Sequence, residues 1–194
     1  MNTPGNQHRS LFLDMPTLET ERLLLRKFEL SDAADMFEYA SDPEVTRYLT
    51  WDCHRSIDNS LGFIRYTLDR YQNDETGDWG IVLKKNRKFI GSCGFVWVDW
   101  NNSCGQIGYV LSRKYWGQGI VTEAVQCLIR FAFERLGLNR IEAVHFIPNQ
   151  ASGRVMQKAG MRYEGIERER IFAKGRYLDV KVYAIVKSDL EEIE

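Results

Sequence analysis

The segment that most constrains this chain is a predicted strand, a loop with two glycines and a predicted helix in direct succession. The strand covers residues 106–111, the loop contains Gly117 and Gly119, and the helix covers residues 119–136 before Gly137 ends it. The buried stripe of that helix consists of Val121, Val125, Leu128, Ala132 and Leu136. Because a helix start is partly positive and has unpartnered amide groups, glycines there let an anionic ligand approach closely. The segment therefore predicts a diphosphate cradle, although two glycines alone would more often mark a tight turn.

Two familiar phosphate-binding folds are excluded by the residues around these glycines. A P-loop places Gly-Lys-Ser/Thr at the helix start, whereas this chain has Gly119-Ile-Val. A dinucleotide-binding fingerprint needs a third glycine or alanine, and Thr122 stands at that position. It also needs an acidic residue about twenty positions later at a strand end, and none stands there. The loop therefore fits neither fold.

The rest of the chain predicts one mixed sheet that is covered by helices. Helices are expected over residues 31–39 and 57–71, and a third opens at Pro148 and Asn149 and stops at Gly160. The predicted strands cover residues 22–28, 79–83, 89–100, 106–111, 140–147, 161–170 and 176–186. In chain order this is an antiparallel meander, then strand-helix-strand-helix, then a hairpin. The arrangement is an α+β fold with about seven strands.

Length and charge bound the kind of protein. The 194 residues suit one domain, and we expect a flexible leader over 1–17 and a domain over 18–194. The 26 basic and 27 acidic side chains nearly balance, which argues against nucleic-acid binding through bulk charge. No apolar run approaches the roughly 18 residues of a membrane span, and the first 20 residues lack a signal-peptide core. We therefore expect a cytoplasmic protein with neither nucleic acid nor membrane as partner.

The cysteines and histidines do not predict a metal site. Neither the four cysteines nor the three histidines show the spacing of zinc ligands or of a redox dithiol. A disulfide between Cys93 and Cys104 is conceivable if their strands pair. Free, buried thiols are the better expectation in a reducing compartment.

From residue 106 to residue 161 the chain closely resembles the GNAT superfamily of N-acetyltransferases. The acetyl-CoA motif of that family, Gln/Arg-x-x-Gly-x-Gly/Ala, reads Lys114-Tyr-Trp-Gly-Gln-Gly119 here, with lysine in the first place. The branch of ribosomal-protein alanine N-acetyltransferases is resembled in six further segments, at 19–23, 90–91, 107–109, 122–124, 149–152 and 158–160. The likeness spans about residues 18–187. It implies a mostly antiparallel sheet that splays between its fourth and fifth strands, and direct transfer of acetyl from acetyl-CoA to an amine without a metal.

The same resemblance implies a role for individual residues. The implied cofactor-binding set is Tyr109, Val110, Leu111, Trp116, Gly117, Gln118, Gly119, Ile120, Val121, Thr122, Asn149 and Ser152. Backbone amides of 116–121 would hold the pyrophosphate, and an amide near Val110 or Leu111 would polarise the thioester carbonyl. Asn149 would bind the pantetheine arm or fix the strand end, or only cap its helix. Ser152 would protonate the leaving thiolate, or only satisfy the first helical turn.

The general base is unassigned, because three positions that carry catalytic groups in relatives do not do so here. They hold Gln106, Met156 and Ile171. Glu123, Glu167 and Glu169 could act through water, but each suits a structural or solvated carboxylate better. The candidates for the acceptor side are residues 51–54, Tyr177 and Asp179. Tyr177 and Asp179, which belong to the final hairpin, could instead tie the edge of the sheet.

The vacant base position bears on the acceptor. An α-amine, with a pKa of about 7.7–8.0, is partly neutral at neutral pH, whereas a lysine amine, at about 10.4, is not. The expected acceptor is therefore the N-terminal α-amine of a ribosomal protein or other peptide. A small-molecule amine (an amino acid, polyamine or antibiotic) and a catalytically weak acyl-CoA-binding module remain alternatives. A monomer and a homodimer are both open.

Overall fold

The computed structural model describes residues 12–191, which form one eight-stranded sheet with helices on both faces. The strands are β1 Leu18–Glu19, β2 Leu23–Arg26, β3 Asp78–Leu83, β4 Phe89–Asp99, β5 Cys104–Leu111, β6 Arg140–Phe146, β7 Arg162–Ala173 and β8 Arg176–Val186. The helices are α1 Ala33–Ala40, α2 Pro43–Thr46, α3 Ile57–Gln72, α4 Ile120–Glu134, α5 Gln150–Lys158 and α6 Lys187–Glu191. Short 3-10 turns occupy Leu30–Asp32 and Arg113–Tyr115.

The sheet confirms the predicted mixed topology. Its strand order is β1-β2-β3-β4-β5-β6-β8-β7, and every neighbouring pair is antiparallel except β5 and β6. The eighth strand, β1, pairs through only Leu18 and Glu19. Two residues are too few to show an alternating pattern, so the expectation of about seven strands missed this one.

The sheet splays at the parallel pair β5 and β6. These are the predicted fourth and fifth strands, because the two-residue β1 shifts the numbering by one. These strands pair only from Cys104 to Gln106 and from Arg140 to Glu142. Beyond that point β5 stays paired with β4 as far as Leu111, and β6 stays paired with β8 as far as Phe146. The two strands therefore separate while each is held on its other side, and backbone groups along the gap have no strand partner.

The alternation of side chains along β2 shows how the two faces are packed. Leu23 and Leu25 belong to the larger core, which α4 covers, and Leu24 belongs to the smaller core under α1 and α3. All three leucines are buried. Both faces of the central strands are therefore covered by helices, which leaves the splayed gap as the place where a ligand can enter the sheet.

The first described residues, 12–17, which fall within the predicted leader, pack against the rest of the domain. Phe12 and Met15 are buried in the larger core, and the indole N–H of Trp79 donates to the Pro16 carbonyl over 2.8 Å. The Phe12 amide also donates to Asp74 Oδ1. Burial of two large apolar side chains holds residues 12–17 in place. Residues 1–11 of the predicted leader lie outside the described residues.

A half-buried carboxylate at the start of β3, that of Asp78, predicts a pH-dependent stability. Burial raises the pKa of Asp78 to about 6, against a weaker opposing effect of Arg70. The folded state thus favours the protonated form, so the contribution of Asp78 to stability is lost as the pH rises from about 4 to 6. We expect Asp78→Asn to stabilise the fold at pH 8 by about 2 kcal/mol, or about 5 °C in Tm, and to change little near pH 4.

Thermal unfolding of the two proteins at pH 4 and pH 8 measures this. Asp99→Asn is the control, because hydrogen bonds from Asn102 lower the pKa of Asp99. Its neutralisation should give no gain at pH 8. An equal Tm for Asp78→Asn and wild type at pH 8 would contradict the assignment of Asp78 as a destabilising charge at that pH.

Candidate active site

A cleft of about 670 Å³ opens at the splayed gap and passes from one side of the sheet to the other. On one side it is bounded by the loop before α4, by the first turn of α4 and by α5. On the other side it is bounded by α2 and by the following loop, which includes Tyr48 and Leu49. Its walls between the two are β5 from Gln106 to Leu111 and β6 from Val144 to Phe146. One cavity can thus receive two molecules from opposite sides of the sheet.

The predicted cofactor-binding residues meet at this cleft, with one exception. The members that line it are Tyr109, Val110, Leu111, Trp116, Gly117, Gly119, Ile120, Val121, Thr122, Asn149 and Ser152. Gln118 does not line it, because its side-chain amide donates to the Lys114 carbonyl and its own carbonyl accepts from Arg22. The Gln118 side chain therefore braces the loop from outside.

The loop before α4 has a backbone that only glycine adopts easily. Gly117 and Gly119 both have φ of +74°, and Gly119 is the N-cap of α4. The amides of Ile120, Val121 and Thr122 follow it in the first turn, where no carbonyl of the helix can pair with them. These three residues line the cleft, so this end of the cleft suits an anionic ligand.

Glu123, one of the possible bases, instead ties this loop to the start of the chain. Its carboxylate accepts hydrogen bonds from the Thr20 hydroxyl, the Arg22 amide and Arg22 Nε. Burial opposes ionisation, but these hydrogen bonds together outweigh it and lower the pKa of Glu123. Glu123 is not among the residues that line the cleft. It is therefore a poor proton acceptor and a good anchor for α4.

A pair of hydroxyl groups stands where β5 and α5 face each other. Tyr109 Oη lies 3.0 Å from the Ser152 carbonyl oxygen and 2.8 Å from Ser152 Oγ. The carbonyl can only accept, so the Tyr109 hydroxyl donates to it and accepts from the Ser152 hydroxyl. Burial raises the pKa of Tyr109 above its usual value, so this hydroxyl stays protonated at neutral pH.

Asn149 fixes the position of this serine. Its side-chain Oδ1 accepts from the Ser152 amide over 3.3 Å at the start of α5, which is the predicted N-cap role. The side-chain NH₂ of Asn149 has no hydrogen bond to a described residue, and Asn149 lines the cleft. One side chain can therefore cap α5 and still donate to a ligand.

The other candidate bases, Glu167 and Glu169, lie away from the cleft. Glu167 pairs with Arg170, and neither Glu167 nor Glu169 lines the cleft. The Glu169 amide donates to Asp179, which ties the sheet edge. Gln106, which cannot act as a base, accepts from the Trp97 indole. Glu44 in α2 is the one carboxylate among the cleft-lining residues that the structure describes. The pattern Asp42-Pro-Glu44 indicates only a capped helix start, so no sequence signal pointed to it.

His145 is a buried residue of the cleft wall that the sequence did not single out. Its Nδ1 lies 2.9 Å from the Phe146 carbonyl, which can only accept, so Nδ1 carries the proton. Nε2 is buried and has no hydrogen-bond partner among the described residues. Burial lowers the pKa of His145, and the ring is therefore neutral at pH 7.

The acceptor side differs in detail from the expectation. The cleft is bordered by residues 48–50, whereas residues 51–54 do not line it. His54 is bonded to Ser60 through Nδ1 and its ring lies against Trp51. Tyr177 is exposed at the tip of the β7–β8 hairpin, where its ring packs on Phe172. The acceptor side of the cleft is therefore formed by residues 48–50, and neither residues 51–54 nor Tyr177 line it.

The part of the chain that the structure describes holds neither a metal-binding cluster nor a membrane-spanning helix. Over residues 12–191 no cluster of three or more His, Cys, Asp or Glu side chains is arranged to hold a metal ion. Within the same residues no helix has both the length and the apolar character that crossing a membrane requires. A location in the cytoplasm stays a prediction.

Comparison with known proteins agrees with the geometry of the cleft. Residues 22–162 match the family model described as an acetyltransferase (GNAT) domain. An uncharacterised N-acetyltransferase, p20 of Bacillus licheniformis, is 38% identical over 90% of this chain and 98% of its own length. A GNAT-family acetyltransferase of Bacillus anthracis has a crystal structure with a TM-score of 0.79 and 28% identity, covering 89% of this chain and 99% of that one.

A third protein of the same fold has been solved with a ligand. RimL, a ribosomal L7/L12 alpha-N-protein acetyltransferase in complex with coenzyme A, has a TM-score of 0.77 and 21% identity over 88% of this chain and 98% of its own. That identity supports the shared fold alone. The family model, in contrast, spans most of the chain, from β2 to the start of β7. This chain is an acetyltransferase of the GNAT family.

Proposed function

We propose that this enzyme transfers acetyl from acetyl-CoA to the N-terminal α-amine of a ribosomal protein or other peptide. One observation carries the proposal: a single cleft joins the amide-rich start of α4 to the opening beside α2, through the gap between β5 and β6. Two substrates entering from opposite sides would meet in that gap. Direct transfer within a ternary complex needs such an arrangement, and no covalent enzyme intermediate is required.

The start of α4 is the proposed site for the pyrophosphate of the cosubstrate. Acetyl-CoA supplies an acetyl group that is activated as a thioester. The backbone amides of residues 116–122 would bind its pyrophosphate, helped by the partial positive charge of the helix start. The coenzyme A held by RimL shows that this fold accommodates such a molecule.

The edge of β5 is the proposed site for the pantetheine arm and the thioester. Beyond Gln106, β5 has no partner strand on the side of the gap, so alternate backbone groups point into the cleft. An amide near Val110 or Leu111 would donate to the thioester carbonyl oxygen as negative charge develops there. The free NH₂ of Asn149 would donate to the arm from the opposite wall.

The hydroxyl pair is the proposed proton source for the leaving group. When the amine nitrogen bonds to the carbonyl carbon, the carbon–sulfur bond breaks and a thiolate leaves. Ser152 would give its hydroxyl proton to that sulfur, and Tyr109, which is protonated before the reaction, would pass its own proton to the serine oxygen. The proton that the amine loses to water would then restore the Tyr109 hydroxyl. The pair would therefore take over a catalytic role that relatives place at the position of the buried Met156.

An α-amine fits the absence of a strong base in the cleft. Gln106 cannot take a proton, and Glu44 lies at the rim in α2 with about half of its side chain exposed. An acceptor with a pKa of about 7.7–8.0 already has a neutral fraction at pH 7.5 and can lose its second proton to water. RimL is named for this type of acceptor, which supports the proposal.

Thiol release from acetyl-CoA tests the proposal with three classes of amine. We expect turnover with short peptides that have a free N-terminus, and a rate that rises with pH through about 8. A terminally blocked peptide with one lysine, and spermidine, serve as controls and should react poorly. Turnover with lysine or spermidine alone would refute the α-amine acceptor. Calorimetry with acetyl-CoA covers the remaining outcome: binding without turnover on any amine would indicate a binding module.

A further inference from the structure

A second recess, of about 260 Å³, adjoins the acceptor side of the cleft. It lies between the loop after α2 and the β7–β8 hairpin. Tyr48, Leu49 and Phe146 line both the recess and the cleft, so the two cavities share a wall. A molecule whose amine reaches the gap in the sheet from this side would pass beside the recess.

The charged side chains that line the recess are all basic. They are Arg47, Lys174 and Arg176, and no acidic side chain of the described residues joins them. The Lys174 ammonium donates to the carbonyls of Thr46 and Arg47, so its positive charge is held there without being neutralised. Arg47 has one ion-pair partner, Glu44, at 3.6 Å, and both side chains are more than half exposed. Such an exposed pair is weak. The Arg47 guanidinium also lies over the ring of Tyr48, 5.2 Å from the ring centroid, which leaves its charge in place.

Of the three basic side chains, that of Arg176 has the fewest partners. Among the described residues its guanidinium has neither a hydrogen bond nor an ion pair. Its position follows from the hairpin register: Arg176 pairs with Ala173 across the turn, so both side chains project from the same face of the sheet. Ala173 is buried there with Phe146 and Val180, beneath the recess. The register thus aims a free guanidinium at an opening with apolar walls.

We propose that this basic recess binds an anionic group, a carboxylate or a phosphate, carried by the amine acceptor. The inference rests on the proposed function and narrows its substrate class. A guanidinium binds either group through two parallel hydrogen bonds, and partly apolar walls strengthen the attraction by excluding water. Glu44 lines the cleft but not the recess. The acceptor side therefore offers a negative charge for an ammonium and a positive recess for an anion.

Matched acceptors that differ by one anionic group test this. For a peptide acceptor the pair is a peptide with glutamate near its free N-terminus and the same peptide with glutamine. For a small acceptor the pair is phosphoethanolamine and ethanolamine, which separates phosphate from carboxylate. We expect kcat/KM to favour the anionic member of at least one pair by about tenfold or more, and the preference to weaken with added salt.

Arg176→Gln should remove most of that preference and leave the KM for acetyl-CoA unchanged. Arg168→Gln is the matched control, because Arg168 is an exposed arginine of β7 that does not line the recess. It should keep the full preference. Arg176→Lys should keep part of it, since the charge remains without the two-pronged geometry.

Two outcomes would overturn the inference. One is equal kcat/KM for both members of both pairs in the wild-type enzyme. The other is a loss in Arg176→Gln that is the same for charged and neutral acceptors. Neither result touches the proposed function, which fails only through the thiol-release and calorimetric measurements with acetyl-CoA and uncharged acceptors.

Discussion

Replacing Gly119 with valine should raise the Kd of acetyl-CoA by about 100-fold. The residue has φ of +74°, a conformation that costs a residue with a side chain about 1–2 kcal/mol and suits a β-branched one least. An added Cβ would lie 3.6 Å from Arg22 Nη2, an ordinary contact. The effect therefore comes from the backbone: when φ changes, the amides of the first turn of α4 turn away from the pyrophosphate.

Gly137→Val is the matched control for this variant. Gly137 has φ of +67°, no atom within 4 Å of its added Cβ, and a place beyond the other end of α4, away from the cleft. Both variants should lose similar stability in thermal unfolding, while only Gly119→Val should lose acetyl-CoA in calorimetry. Equal Kd values for the two variants would show that the loop does not hold the phosphates.

The elements that sequence predicted well are those whose signals are local. The apolar stripe of α3 begins and ends within one residue of the observed helix, Ile57–Gln72. The final hairpin turns at Lys174 and Gly175, both with positive φ, as the turn residues indicated. Periodicity and turn chemistry need only neighbouring residues, so they survive without knowledge of the fold.

The parts of the site that sequence missed depend on distant contacts. Tyr109 and Ser152 were both predicted site residues, but they are 43 residues apart, and no local sequence pattern predicts the hydrogen bond between their hydroxyls. Glu44 and Arg176 reach the acceptor side because the hairpin tip folds back onto the end of α2, where Lys174 donates to the carbonyls of Thr46 and Arg47. Phe12 falls within the predicted leader, and only the fold shows that its ring packs against Trp79 and Phe95. Tertiary packing decides each of these positions.

Removing the hydroxyl of Ser152 should lower kcat by about 100-fold and leave the KM for acetyl-CoA nearly unchanged. The reason is that the proposed proton transfer to the leaving thiolate occurs in the transition state and contributes little to binding. Tyr109→Phe should lower kcat as well, by about tenfold, because Ser152 keeps its own proton but loses the group that replaces it. Steady-state kinetics of Ser152→Ala, Tyr109→Phe and the double variant measure these effects.

The double variant distinguishes a relay from two separate contributions. If the hydroxyls act as one unit, Tyr109→Phe should cost almost nothing further once Ser152 is alanine. Ser60→Ala is the control, because Ser60 is a buried helical serine whose hydroxyl bonds His54 outside the cleft. It should leave kcat unchanged. A Ser152→Ala enzyme with normal kcat, or with a raised KM for acetyl-CoA and normal kcat, would reduce Ser152 to a binding or structural role. Fully multiplicative losses would instead mean that Tyr109 acts on its own, since an independent donor loses nothing when its neighbour is removed.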